Sequence, residues 1–210
     1  MTVLWAVYGA GGSGRGIMPL LREQVEASDA RIVFVEDKPA IDEINGHAIW
    51  SFDRFVKERA EQKLAALAVA NSQVRERLDR QCADAGIEVA GVTASSVIRM
   101  DEVDLGPGAL LSPFVTLTSN IVIGRCFHAN LYSYVEHDCV LGDYVTFAPG
   151  VHCNGNVRIG DHAYIGSGAI IRQGLSIGAR STVGMGAVVT KDVPAGVTVV
   201  GNPARILRKK

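Results

Sequence analysis

The sequence lacks the features that mark membrane, nucleic-acid-binding and disulfide-stabilised proteins. No apolar run is long enough to span a bilayer, and the first residues have no basic region of a signal peptide. The four cysteines form no C-x-x-C pair, so we expect reduced thiols and a cytoplasmic protein. The 21 Lys and Arg nearly balance the 22 Asp and Glu, and no basic stripe predicts a nucleic-acid partner.

Glycine is abundant, with 23 among 210 residues and most of them in the second half. That half also has apolar residues at every sixth position from Leu105 to Val189, and twelve of these fifteen are Leu, Ile or Val. An amphipathic helix repeats at about 3.6 residues and a lone strand at about 2, so neither explains the period. Glycines recur every eighteen residues on top of it, namely Gly106, Gly124, Gly142, Gly160 and Gly178.

Three hexads therefore predict one turn of a triangular prism, with a short strand on each side and a tight turn at each corner. Gly, Asn and Asp at the corners tolerate the positive φ of such turns. Residues 105–194 would form five coils of a parallel β-helix, and the segment 201–205 would close the last coil. This β-helix domain is predicted to span residues 95–210.

Residues 1–94 predict a small Rossmann-like α/β domain with a parallel sheet. A strand at 3–8, a glycine loop at 9–14 and an apolar helical pattern follow one another. Further strands are predicted at 31–35, 64–70 and 87–92, and helices at 51–62 and 72–85, with Ser72 as N-cap and Gly86 closing the last helix.

The glycine loop would direct backbone N–H groups at a phosphate, although a plain strand-to-helix turn gives the same pattern. A dinucleotide fold uses two such halves and this chain has one, which favours a nucleoside-diphosphate sugar over a nicotinamide cofactor. The predicted substrate-binding residues are Gly9, Gly11, Gly12, Ser13, Gly14, Asp37, Lys38 and Asn71.

Among the histidines of the repeat, His137 alone has a carboxylate on each side, Glu136 and Asp138. Eighteen residues later comes Gly155, which should lie one coil away, at about 4.8 Å. A base beside an unobstructed N–H is what acyl transfer from a thioester requires. Spacing alone leaves open that His137 is merely an exposed corner residue.

The segment 134–143, Tyr-Val-Glu-His-Asp-Cys-Val-Leu-Gly-Asp, resembles one family of hexapeptide-repeat acetyltransferases. Its members are sialic-acid O-acetyltransferases and nucleotide-linked amino-sugar N-acetyltransferases, with the same two-part layout over nearly the whole chain. The resemblance implies a left-handed β-helix, although parallel crossovers are usually right-handed. It also implies a homotrimer with acetyl-CoA between adjacent β-helices.

By the same resemblance, His137 would be the catalytic base, Asp138 would support it, and the Gly155 N–H would bind the acetyl carbonyl. The cofactor-lining positions would be Gly166, Ser167, Gly184 and Met185, for which ordinary turn residues are the alternative. Ser13, Thr93 and Thr146 stand where many relatives have histidines, which leaves the acceptor in doubt.

We therefore expect N-acetylation of a nucleotide-linked amino-deoxysugar, or alternatively O-acetylation of sialic acid or another surface-polysaccharide sugar. The four β-helix histidines lie at unequal offsets around the eighteen-residue coil, so a zinc site is not expected. A non-enzymatic β-helix would have no affinity for acetyl-CoA. A serine or simple-sugar O-acetyltransferase would lack the glycine-loop domain.

Overall fold

The computed structural model describes residues 2–207, and the chain divides into two compact units, one ending at Ser95 and one starting at Ser96. The first unit is a parallel sheet with three helices. Its elements are β1 (Val3–Tyr8), α1 (Gly12–Gln24), β2 (Arg31–Glu36), β3 (Glu43–Ile44), β4 (His47–Ser51), α2 (Phe52–Lys57), β5 (Gln62–Leu67), α3 (Ser72–Asp84), β6 (Glu88–Val89) and β7 (Val92–Thr93).

The sheet has the order β3-β4-β2-β1-β5-β6, in which β4, β2, β1, β5 and β6 run parallel and the short β3 is antiparallel to β4. The central strand β1 is buried from Leu4 to Tyr8, as expected for a strand covered on both faces. Helix α1 buries Gly14, Ile17, Met18 and Leu21, which share one helical face.

In four places the strands and helices of this unit differ from the sequence prediction by more than one residue. Residues 43–51 form a hairpin, turned at Asn45 and Gly46, both with positive φ. Helix α2 ends at Lys57 rather than 62, because three of the four residues 58–61 are charged and the segment offers no apolar face to bury. Strand β5 starts at 62 and ends at 67, and the predicted strand 87–92 is divided into β6 and β7.

The N-cap of α3 is also a correction. Asn71 rather than Ser72 caps the helix, because its side chain accepts hydrogen bonds from the N–H groups of Gln73 and Val74. At the other end Gly86 has φ +67° and follows the last turn, as predicted.

The second unit is a left-handed parallel β-helix with three faces. The first face contains β9 (Val103–Leu105), β12 (Ile121–Ile123), β15 (Val140–Leu141), β18 (Arg158–Ile159) and β21 (Ser176–Ile177). The second contains β10 (Leu110–Leu111), β13 (His128–Ala129), β16 (Thr146–Phe147), β19 (Tyr164–Ile165), β22 (Thr182–Val183), β24 (Thr198–Val200) and β25 (Arg205–Ile206). The third contains β8 (Ile98–Arg99), β11 (Thr116–Leu117), β14 (Tyr134–Val135), β17 (His152–Cys153), β20 (Ile170–Ile171) and β23 (Val188–Val189).

Neighbouring strands of the regular coils pair at a distance of eighteen residues, so Val135 lies beside Cys153 and Cys153 beside Ile171. Because β8 and β9 already belong to faces, the β-helix begins before the predicted position 105. Of the fifteen hexad-start residues, Leu105 is partly buried and the rest are buried. At the end, β25 pairs antiparallel with β24, and Val199 lies in the core.

The turns at the corners follow the six-residue period as strictly as the buried residues do. Every sixth residue from Glu102 to Gly186 has a positive φ between 53° and 75°. Glycine, Asn and Asp were expected there, but the set also includes Phe114, Tyr132, Tyr144, His162 and Arg180. Two pairs of these aromatic side chains stack between coils, Phe114 on Tyr132 and Tyr144 on His162. Stacking between coils compensates for the left-handed backbone that these bulky residues adopt.

Candidate active site

One corner of the β-helix, between its third and first faces, contains the residues expected to act on an acyl group. Strand β14 ends at Val135, and the chain then turns through Glu136, His137 and Asp138, of which Asp138 has φ +60°. In the next coil, β17 is followed by Asn154, Gly155 and Asn156, and Asn156 has φ +57°. The two turns therefore have the same backbone path, stacked one coil apart.

The imidazole of His137 lies directly against Gly155. A Cβ atom added to Gly155 would be 2.6 Å from both Cε1 and Nε2 of the ring. The backbones are also joined, because the N–H of Asn156 donates to the carbonyl oxygen of His137 over 2.7 Å. Gly155 is thus required by its contact with His137, since any side chain would displace the ring.

Asp138 orients the imidazole. Its Oδ2 is 2.8 Å from Nδ1 of His137, and both side chains are more than half exposed. The hydrogen bond to Asp138 raises the pKa of His137, with smaller contributions from the Asp138 and Glu136 charges, while desolvation acts in the opposite direction. With Nδ1 bound to the carboxylate, Nε2 is the nitrogen left to accept a proton.

Within residues 2–207, no hydrogen bond between protein groups uses the N–H of Gly155. The carbonyl of Gly155, in contrast, accepts from the N–H of Gly174 over 3.0 Å. The amide of Gly155 is therefore a hydrogen-bond donor beside a base. Acyl transfer requires this pair of groups, because the donor stabilises the tetrahedral oxyanion and the base takes the proton of the acceptor.

A groove of about 480 Å³ adjoins this corner and is lined by Glu136, Asn154, Arg172 and Gln173. Asn154 is fixed there, because it accepts from the Tyr134 hydroxyl over 2.9 Å and donates to the Ile171 carbonyl over 2.8 Å. Tyr134 in turn stacks on His152, with 4.9 Å between the ring centroids, and burial raises the pKa of Tyr134. The groove therefore has rigid walls and both signs of charge.

The predicted cofactor-lining residues form a column at a different corner, between the second and third faces. Gly166 and Ser167 follow β19, and Gly184 and Met185 follow β22, one coil later. A Cβ on Gly166 would be 2.6 Å from the backbone nitrogen of Met185, so the coils stack closely. Met185 is 83% exposed. Within one chain the column is thus separated from His137 by the width of the third face.

The predicted glycine loop joins β1 to α1. Gly9 has φ +108°, and a Cβ on Gly14 would be 1.7 Å from the Gly9 carbonyl oxygen, so both glycines are needed for the tight turn. Gly11 and Gly12 have open space around the position of a Cβ atom, and Ser13 is exposed in the first turn of α1. The loop thus leaves the helix N-terminus accessible, as an anion site requires.

Asp37 lies at the carboxyl end of β2 and is held by residues that the sequence analysis missed. Its carboxylate accepts from the hydroxyl of Tyr8 and pairs with Arg77 at 3.3 Å. Burial, and then the hydrogen bond to Asp37, raise the pKa of Tyr8. Tyr8 stacks on Phe52, which helps line a cavity of about 700 Å³ along α3. Nothing in the local spacing could have found this cluster, because its members are 29 and 40 residues apart.

The remaining predicted residues lie outside these clusters. Lys38 is exposed after β2, and the Asn71 side chain is occupied in capping α3. Thr93 donates its N–H to the Gln24 side chain over 2.9 Å. Thr146 is buried on the second face, not at the His137 corner.

Residues 2–207 have neither a cluster of metal-ligating side chains nor a membrane-spanning helix. They contain no group of three or more His, Cys, Asp or Glu side chains arranged to hold a metal ion. In the same residues, none of the helices combines the length and apolar character needed to cross a membrane.

Comparisons with known proteins agree with this architecture. Residues 156–191 match the family described as the hexapeptide repeat of succinyl-transferase. The GDP-perosamine N-acetyltransferase of Escherichia coli O157:H7 is 47% identical over 98% of this chain and 97% of its own.

Two solved structures are similar over almost the full length. WeeI from Acinetobacter baumannii AYE superposes with a TM-score of 0.95 at 50% identity, covering 99% of this chain and 100% of its own. A histidine-to-asparagine mutant of perosamine N-acetyltransferase from Caulobacter crescentus, in complex with CoA and GDP-perosamine, gives a TM-score of 0.89 at 25% identity, covering 100% of this chain and 98% of its own.

Proposed function

Because the chain belongs to the hexapeptide-repeat acyltransferase family and is an acetyltransferase, we propose that it transfers acetyl from acetyl-CoA to the amino group of a nucleotide-linked amino sugar. The observation that carries the proposal is the His137 imidazole packed against Gly155, whose N–H makes no hydrogen bond to a protein group within residues 2–207. The GDP-perosamine N-acetyltransferase relative makes GDP-perosamine, or a sugar nucleotide close to it, the first acceptor to test.

In the proposed mechanism His137 takes a proton from the amine as its nitrogen attacks the thioester carbonyl. The Gly155 N–H stabilises the negative charge that develops on the carbonyl oxygen. The C–S bond then breaks, and the proton held by His137 passes to the departing thiolate, which leaves as CoA. Asp138 keeps Nδ1 bound, so the proton is exchanged at Nε2.

We assign nucleotide binding to the first unit. The glycine loop offers the N-terminus of α1 to phosphate, and Asp37 and Tyr8 lie at the carboxyl ends of neighbouring parallel strands. Ligands of open parallel sheets bind at that edge, beside a switch in strand order. Here the switch is at β1, which lies between β2 and β5.

The cofactor column supports a homotrimer. Gly166, Ser167, Gly184 and Met185 lie at a different corner from His137, so one chain does not bring them together at its own base. An acetyl-CoA held between two β-helices would meet the column of one copy and the His137 corner of another. Sedimentation equilibrium should give three times the chain mass.

The test is a thiol-release assay with acetyl-CoA and a panel of acceptors: GDP-perosamine, other nucleotide-linked amino sugars, and free and nucleotide-linked sialic acid. We expect turnover with a nucleotide-linked amino sugar and an N-acetyl product by NMR. An O-acetylated product, or turnover with sialic acid alone, would contradict the proposal.

The matched variant for this assay is His137→Ala. General-base catalysis contributes about 10²–10⁴-fold, so kcat should fall by roughly that amount while the assembly stays folded. The control is His162→Asn, because His162 stacks on Tyr144 at a different corner, between the first and second faces, and asparagine tolerates its positive φ. Full activity of His137→Ala would remove this mechanism.

A further inference from the structure

The active-site corner lies on two buried cysteines that the proposed mechanism does not use. Cys139 follows His137 by two residues, Cys153 precedes Gly155 by two, and both side chains are fully buried. Both sulfur atoms lie near one oxygen, the carbonyl of Asn154, at 3.2 Å from Cys139 and 3.9 Å from Cys153. That carbonyl belongs to the same peptide group as the N–H of Gly155.

The peptide group explains why this contact matters. In a planar trans peptide the C=O and N–H point in opposite directions. The thiol of Cys139 donates to the Asn154 oxygen from inside the β-helix, which directs the Gly155 N–H away from the core. The following peptide is fixed too, because its carbonyl accepts from Gly174 and its N–H donates to His137.

Cys139 itself has a defined place in a chain of hydrogen bonds. Its sulfur accepts from the backbone N–H of Val157 over 3.4 Å, and its thiol donates to the Asn154 carbonyl, to which the Cys153 thiol also points over 3.9 Å. The neighbouring Cys153 thiol and the N–H of Val157 lower the pKa of Cys139, whereas the neighbouring Cys139 and burial raise the pKa of Cys153. Bonds accepted by the sulfur polarise the thiol and strengthen its own donation.

We infer that Cys139 is a positioning residue, which acts through the Asn154–Gly155 peptide group to hold the Gly155 N–H in place as the oxyanion donor. The inference rests on the proposed function, because it gives that N–H its catalytic role. Packing alone does not require a cysteine here. Equivalent positions in other hexads include Val115, Val145, Val151 and Val157, all buried in the same core.

The repeat therefore supplies the test variant, Cys139→Val, which keeps an apolar side chain that these positions accept but has no S–H. Because the donor acts on charge that develops in the transition state, kcat should fall about 10-fold while KM for both substrates stays within about twofold. Cys139→Ser retains a donor and should recover most of the lost kcat. Val115→Ala, a cavity at an equivalent position away from the site, should lower Tm and leave kcat unchanged.

Three outcomes would overturn the inference: kcat of Cys139→Val within twofold of the parent, equal loss in Cys139→Val and Cys139→Ser, or a parallel loss in Val115→Ala. His137→Ala, measured in the same assay, separates this from failure of the proposed function. If His137→Ala loses activity and Cys139→Val does not, only the role of Cys139 is wrong. If His137→Ala is fully active, the mechanism itself is wrong.

Discussion

The two units of this chain differ in how their functional residues come together. In the β-helix, residues eighteen apart are neighbours, and the whole His137 corner is built from two such turns. In the α/β unit, Tyr8, Asp37 and Arg77 meet through strand order and helix placement, with no common spacing. In a periodic fold the sequence spacing thus predicts which residues of a site are neighbours, whereas in a layered fold the sequence reveals only the local motif.

The comparison between the two units is tested most strongly at Gly155, the position that the eighteen-residue spacing of the β-helix identified. Gly155→Ala should lower kcat by about 100-fold, because the new methyl group would overlap the His137 ring and displace both base and donor. The measurement is kcat in the thiol-release assay, with the folded assembly checked by sedimentation.

Gly16→Ala is the matched control, since a Cβ there meets no atom within 4 Å. It should leave kcat unchanged. Equal activity of the two variants would mean that stacking between coils does not define the site.

A smaller effect is expected at Asp138, which adjoins the base in sequence and not through the coil spacing. Asp138→Asn keeps a residue that tolerates the positive φ but removes the carboxylate that raises the pKa of His137. We expect kcat to fall about 10-fold, because the ring loses its orienting partner.

The pH dependence of kcat/KM tests whether Asp138 raises the pKa of His137. The proposed mechanism needs neutral His137, so kcat/KM of the parent should fall as the pH drops through a raised pKa. In Asp138→Asn that pKa moves back toward its ordinary value, and the acidic limb should shift to lower pH. An unchanged limb would show that Asp138 does not control the protonation of the base.

The smallest effect concerns the α/β unit, where the structure corrects the helix cap. Asn71→Ala should lower the free energy of unfolding by about 1 kcal/mol, because two N–H groups at the start of α3 lose their acceptor. Ser72→Ala should change it by only a few tenths of a kcal/mol, since alanine is a good helix former. Urea unfolding compares the two; a larger loss for Ser72→Ala would reverse the assignment.

The sequence predicted the β-helix, its eighteen-residue register and the contact between His137 and Gly155 because each coil repeats the geometry of the last. It also predicted β1, the glycine loop and α1, where a local apolar pattern and the glycines suffice. It missed the hairpin at 43–51, although Asn45 and Gly46 were a usable signal, and it extended α2 over residues that form no apolar face.

The sequence by itself determined the coil, because a strict period of six can bury its apolar residues in one stacked arrangement. Only the tertiary structure decided which groups hold the site in place: the Cys139 thiol on the Asn154 carbonyl, and the Tyr8 hydroxyl on Asp37. These contacts depend on side-chain direction and on pairing between distant segments, and neither is encoded in a local pattern.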